Sequence, residues 1–87
     1  MEKKEIIRLL QSNKPPCLET LRGSLVEFNE VEKTMLMEFD AIPEFCHSGA
    51  QIVQGGFVTG MLDSSMAHLI IALEKFQYNP VSLDINV

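Results

Sequence analysis

Apolar and polar positions change period along this chain, and each change marks an element. Residues Lys3 to Gln11 place Ile6, Ile7, Leu9 and Leu10 largely on one side of a helix, which Pro15 and Pro16 then stop. From Leu21 to Phe28 and from Thr34 to Ala41 the period drops to nearly two. It is clearest where Met35, Met37, Phe39 and Ala41 alternate with Leu36, Glu38 and Asp40. The polar segment Asn29 to Lys33 between these two strands predicts a hairpin connection. Residues Ile42 to Gly56 carry Pro43, Gly49, Gly55 and Gly56 without a sustained period, which predicts an irregular loop.

The longest periodic stretch follows. From about Gly56 to Phe76, Val58, Leu62, Met66, Leu69, Leu73 and Phe76 recur at helical spacing, flanked by Phe57, Met61, Ile70 and Ile71. A helix apolar nearly all round must be wrapped by something. It ends before Asn79 and Pro80. The last residues then alternate Val81, Leu83, Ile85 and Val87 against Ser82, Asp84 and Asn86, which predicts a strand at the end of the sequence. Internal repeats and low-complexity tracts are absent.

These elements define an α+β chain, and its 87 residues hold a single domain, residues 1–87. A chain of this size buries only about 60 to 65% of the surface its unfolded form exposes, so its core is thin and oligomerisation is expected. The net charge of −5 opposes a nucleic-acid partner, which requires clustered Lys and Arg. The start MEKKEIIRLLQS is too charged for a secretory signal, and a cytoplasmic protein is expected. In that reducing compartment Cys17 and Cys46 are expected as free thiols. The stretch Phe57 to Leu73 contains Asp63 and His68 and is shorter than the roughly 20 apolar residues a bilayer core demands, so it is expected to be a buried helix and no membrane partner is expected.

Candidate chemistry concentrates on that helix. Between Glu44 and Glu74, Asp63 is the only formally charged side chain, counting histidines as neutral. An apolar setting disfavours the ionised form of a carboxyl, the usual preparation of a general base or acid. The structural alternative is a carboxylate that only hydrogen-bonds a nearby hydroxyl. Helix capping is disfavoured, because Asp63 lies about two turns past Gly55 and Gly56. Ahead of it, Gln54-Gly55-Gly56 offers uncovered backbone and the free N–H groups of a first turn, which can hold a carbonyl oxygen or a developing oxyanion. Two glycines before a helix are equally an ordinary loop solution. His68, five residues beyond Asp63 and off its face, reads as a structural histidine. His47, Cys46, Asp63 and His68 lack a recognised metal-ligand spacing, and no metal is expected.

The run from His47 to Ala67, HSGAQIVQGGFVTGMLDSSMA, resembles the signature of hotdog-fold acyl-CoA thioesterases of the phenylacetic-acid-degradation type, in the 4-hydroxybenzoyl-CoA thioesterase superfamily. That signature is an Asn, a Gly, His-Gly-Gly and then Leu-x-Asp on the helix. Gln54 takes the His position, Gly55 and Gly56 the glycines, and Asp63 the catalytic Asp at the same spacing. The sequence departs from the signature where Ser48, beside His47, falls near the Asn, and where Gln51 replaces the first Gly. Gln54 can donate an amide N–H to a thioester carbonyl but cannot exchange a proton.

The resemblance implies a hotdog fold, in which an antiparallel sheet wraps the long central helix. Relative to that fold, the strands after Val81–Val87 are missing, so a partial domain is expected. It also implies hydrolysis of an acyl-CoA thioester without a cofactor, coenzyme A entering only as part of the substrate. Catalysis would fall to Asp63, Gly56 and Gln54, and substrate binding to Gly55, His47, Ser48 and Ser64, in a homodimer or homotetramer with the acyl pocket between subunits. The alternative is a non-catalytic acyl-CoA-binding or assembly subunit, or an inactive truncated fragment. A hotdog dehydratase would call for a histidine where Gln54 stands.

Overall fold

The computed structural model describes residues 2–49 and 51–87; Met1 and Ala50 lie outside them. The element order is α1 (Lys3–Ser12), α2 (Pro16–Thr20), β1 (Gly23–Asn29), β2 (Thr34–Phe39), a 3-10 turn (Pro43–Phe45), β3 (Cys46–His47), β4 (Ile52–Val53) and α3 (Gly55–Leu73). The chain is therefore α+β, as its periodicity predicts. The prolines after α1 do more than stop it. Pro16 occupies the first turn of α2, where its missing N–H costs nothing, and starts a short helix the apolar pattern did not reveal.

β1 and β2 form an antiparallel hairpin with Gly23 opposite Phe39 and Asn29 opposite Thr34. Its connection is the polar Glu30–Lys33 segment, where the Asn29 side-chain oxygen accepts the Glu32 N–H at 3.0 Å and Lys33 adopts φ +56°. β2 keeps strict alternation, with Met35, Met37 and Phe39 inward and Leu36 and Glu38 outward. β1 does not: its buried residues Leu25 and Phe28 are three apart, a spacing a regular strand cannot bury on one face. A bulge between Leu25 and Glu27 resolves this by turning Val26 and Glu27 both outward. Gly23 is required by packing, since a Cβ there would collide with Leu18 and Phe39.

The core lies where α1, the hairpin and the C-terminal half of α3 meet. Ile6, Leu10, Leu25, Phe28 and Ala72 are buried together, with Ile7, Met35, Met37, Leu69, Ile71 and Leu73 packed around them. Phe45, buried in the 3-10 turn, stacks on Phe57 of α3 with ring centroids 4.6 Å apart and so ties the loop to the start of the helix.

Three expectations are corrected. The 42–56 segment is not wholly irregular: β3 and β4 pair antiparallel, Cys46 with Val53 and His47 with Ile52, around a tight loop in which Ser48, Gly49 and Gln51 all have positive φ. The long helix stops at Leu73 rather than Phe76. There the Phe76 N–H reaches the Ile71 carbonyl (2.9 Å) and the Lys75 N–H the Ala72 carbonyl (3.2 Å), with Lys75 and Phe76 both left-handed. This is a Schellman end in which Lys75 stands where glycine is usual.

Finally, Val81–Val87 forms no strand. Alternation supplies two faces but not a ladder partner, and this segment pairs with no other strand, leaving Leu83 98% exposed.

Candidate functional site

α3 is preceded by Gln54, whose backbone takes the N-cap position and whose carbonyl accepts the Phe57 N–H at 3.0 Å. The β3–β4 hairpin holds it there, because the Gln54 N–H donates to the Phe45 carbonyl at 2.8 Å. No side chain caps this helix end. A Cβ built at Gly55 meets nothing within 4 Å, and one at Gly56 meets only the Gln54 side-chain oxygen at 4.0 Å. The two glycines are thus not demanded by crowding; they leave an open approach to the backbone of the first turn.

Asp63 lies at the middle of α3, seven residues past Gly56. Seven residues make nearly two turns, so Gly56 and Asp63 share one face of the helix, separated by about 10 Å along its axis. Asp63 is half-buried rather than enclosed, and its Oδ1 accepts a hydrogen bond from the Ser82 hydroxyl. Ser82 is the residue sequence reasoning missed. It belongs to the segment read as a strand, and its distance from Asp63 along the chain carries no helical or strand period that would link them.

The remaining predicted residues are dispersed. His47 and Ser48 sit together on the exposed β3–β4 hairpin, His47 Nδ1 and the Ser48 hydroxyl 2.9 Å apart. Ser64 is half-buried beside Asp63, and its carbonyl is taken by His68 Nδ1 at 2.9 Å. Ser65 and Thr59 return their hydroxyls to the Met61 and Gly55 carbonyls, both at 2.8 Å. Cys17 and Cys46 are free thiols. No group of three or more His, Cys, Asp or Glu side chains among the described residues is placed to hold a metal ion.

The helix that sequence reading expected to be wrapped is covered on one side only. His68 and Ala72 are its buried residues, while Leu62, Met66 and Ile70, one turn apart in succession, are 44, 45 and 42% exposed. This bare apolar stripe runs alongside Asp63. By length and composition alone α3 is also long and apolar enough to cross a bilayer. Two open clefts lie elsewhere. One of about 670 Å³ is lined by Ala41, Pro43, Cys46, Gly49 and Gln51; the other, of about 290 Å³, lies between the ends of α1 and α3. Compared with known proteins, the chain matches no family model, no curated protein and no solved structure.

Proposed function

We propose that this chain is a hotdog-type thioesterase subunit that hydrolyses an acyl-CoA thioester, with Asp63 as the general base or nucleophile. The observation that carries the proposal is a lone carboxylate, on an otherwise uncharged helix, whose Oδ1 is held by the Ser82 hydroxyl. Fixing one carboxylate oxygen leaves Oδ2 oriented to take a proton from water or to attack the thioester carbon. The carbonyl oxygen would lie against the Gly56 N–H, where the open glycines and the positive end of the helix favour developing negative charge. The Gln54 amide adds a second donor, and Gly55, His47, Ser48 and Ser64 complete the substrate contacts.

The spacing along α3 determines how these parts are assembled. A reacting carbon must lie about 3 Å from both the base and the oxyanion donors, and Gly56 and Asp63 of one helix are too far apart for that. Asp63 of one subunit therefore works with Gln54 and Gly56 of another, in a homodimer or homotetramer. The bare stripe Leu62, Met66 and Ile70 beside Asp63 is the surface such a partner would cover, and the acyl chain would lie along it.

A second reading, a non-catalytic acyl-CoA-binding subunit, is favoured by one observation: neither of those two clefts includes Asp63 in its lining. Assay of acyl-CoA hydrolysis by the chain and by its Asp63→Asn variant separates the two. A general base contributes roughly 10²- to 10⁴-fold, so the variant should lose at least about 100-fold in kcat while still binding substrate. Equal rates in the two proteins would reject the catalytic role. Binding without hydrolysis by either would select the second reading.

A further inference from the structure

The 290 Å³ cleft between the ends of α1 and α3 is lined by His68, the one buried polar side chain among the described residues, which the proposed chemistry does not use. His68 is 4% exposed and lines this cleft with Leu9, Leu10, Asn13, Ile71, Phe76 and Asn79. A carbonyl oxygen only accepts, so the 2.9 Å contact between His68 Nδ1 and the Ser64 carbonyl places the ring proton on Nδ1. In the singly protonated ring Nε2 is then an acceptor, and it has no hydrogen-bond partner among the described residues. No fully buried side-chain nitrogen or oxygen among those residues is left unpaired, so Nε2 keeps contact with solvent, and the cleft is the one that His68 lines.

We infer that this cleft is a binding site for a small, neutral, apolar molecule bearing one hydroxyl, of the phenol or aryl-alcohol class. Apart from Asn13, Asn79 and His68 the walls are aliphatic and aromatic, which selects a largely apolar body. Nε2 accepts one hydrogen bond, which selects a donor on that body. The volume of about 290 Å³ lies just below the roughly 300–1,000 Å³ typical of ligand sites, which limits the body to one or two rings. His68 lies five residues from Asp63 and on a different face of α3, so the site is separate from the proposed thioester chemistry.

The test uses the whole chain and two probes that differ only in the donor, 2-naphthol and its methyl ether, 2-methoxynaphthalene. Each is titrated into ¹⁵N- and ¹³C-labelled protein and followed by NMR. The expected result is that 2-naphthol binds about tenfold more tightly than the ether, the ratio one buried hydrogen bond supports, with shifts centred on Leu10, His68, Ile71 and Phe76. His68→Phe, which keeps an aromatic ring but removes the acceptor, should bring the two affinities together if it folds. Equal affinities in the unaltered protein, shifts centred elsewhere, or no binding of 2-naphthol at millimolar concentration would each overturn the inference, without need of any variant.

Discussion

At the scale of single residues, what was legible in the sequence was charge and glycine. Asp63 stood out because nothing else between Glu44 and Glu74 is charged, and it does sit at mid-helix. Its partner Ser82 was not legible, because a contact between residues so far apart depends on how the chain returns over α3 and leaves no local pattern. Left-handed positions were also hidden where glycine is absent. Lys33, at φ +56° in the hairpin connection, carries a side chain in a conformation that disfavours one. Lys33→Gly should raise stability by about 0.5–1 kcal/mol in urea denaturation, because only the folded state is strained. An unchanged or lower midpoint would show that the turn is not strained. Charge pairing at this scale is confined to the surface. Lys3 hydrogen-bonded to Glu27, and Lys75 hydrogen-bonded to Glu30, hold both carboxyls below the usual glutamate range. A depressed carboxyl stabilises above its unfolded value and loses that contribution as pH falls through the folded one. The denaturation midpoint should therefore drop as pH falls below the ordinary glutamate value of 4.5, and the drop should shrink in high salt. A Glu27→Gln, Glu30→Gln double variant should lose that part of the acid dependence.

At the scale of elements, period proved a good guide to type and a poor one to environment. α1, both strands of the hairpin and the start of α3 appear where the spacing put them, since helical and strand periods follow from the backbone alone, while α3 ends three residues short of Phe76. The bulge in β1 was implicit in the three-residue step from Leu25 to Phe28, which near-period-two reading smoothed over. α2 was missed because five residues are too few to show a period. Val81–Val87 failed in the opposite way: its pattern is that of a strand, but a strand exists only with a partner. The elements that do form are pinned by Phe28, fully buried between α1, β2 and α3. Phe28→Ala should cost about 3–5 kcal/mol. Stability near 0.05–0.15 kcal/mol per residue makes that a large share of the total, so urea denaturation should find the midpoint of the variant far below that of the unaltered chain. A loss below about 1 kcal/mol would place the core elsewhere.

At the scale of the whole molecule, the single chain exposes more than a chain of its mass should. A folded monomer of 9.8 kDa is expected to show about 5,200 Å² of accessible surface, whereas this one shows 6187 Å². Its radius of gyration, 13.8 Å, likewise exceeds the roughly 12 Å expected for its length. The excess of about 1,000 Å² is comparable with the 800 Å² each partner contributes to an ordinary interface. Part of it is the Val81–Val87 segment and part the Leu62, Met66 and Ile70 stripe. Sequence length alone pointed to a thin core; which face would remain bare required the structure, because α3 is apolar all round and only packing chooses a side. Light scattering should give a mass of twice the chain or more, and Met66→Glu should lower it to that of one chain without unfolding α1 or the hairpin.

The proposed chemistry needs Asp63 from one subunit and the Gly56 N–H from another, so the most direct measurement is complementation between two inactive chains. Asp63→Asn removes the carboxylate, and Gly56→Pro removes one first-turn N–H where proline is tolerated. Each alone should be nearly inactive on an acyl-CoA. Mixed, refolded and assayed together in equal amounts, they should recover about a quarter of the unaltered rate, since half of randomly paired dimers hold one intact composite site. A mixture as inactive as its components, or hydrolysis by the Asp63→Asn chain alone, would contradict a site shared between subunits and built on Asp63.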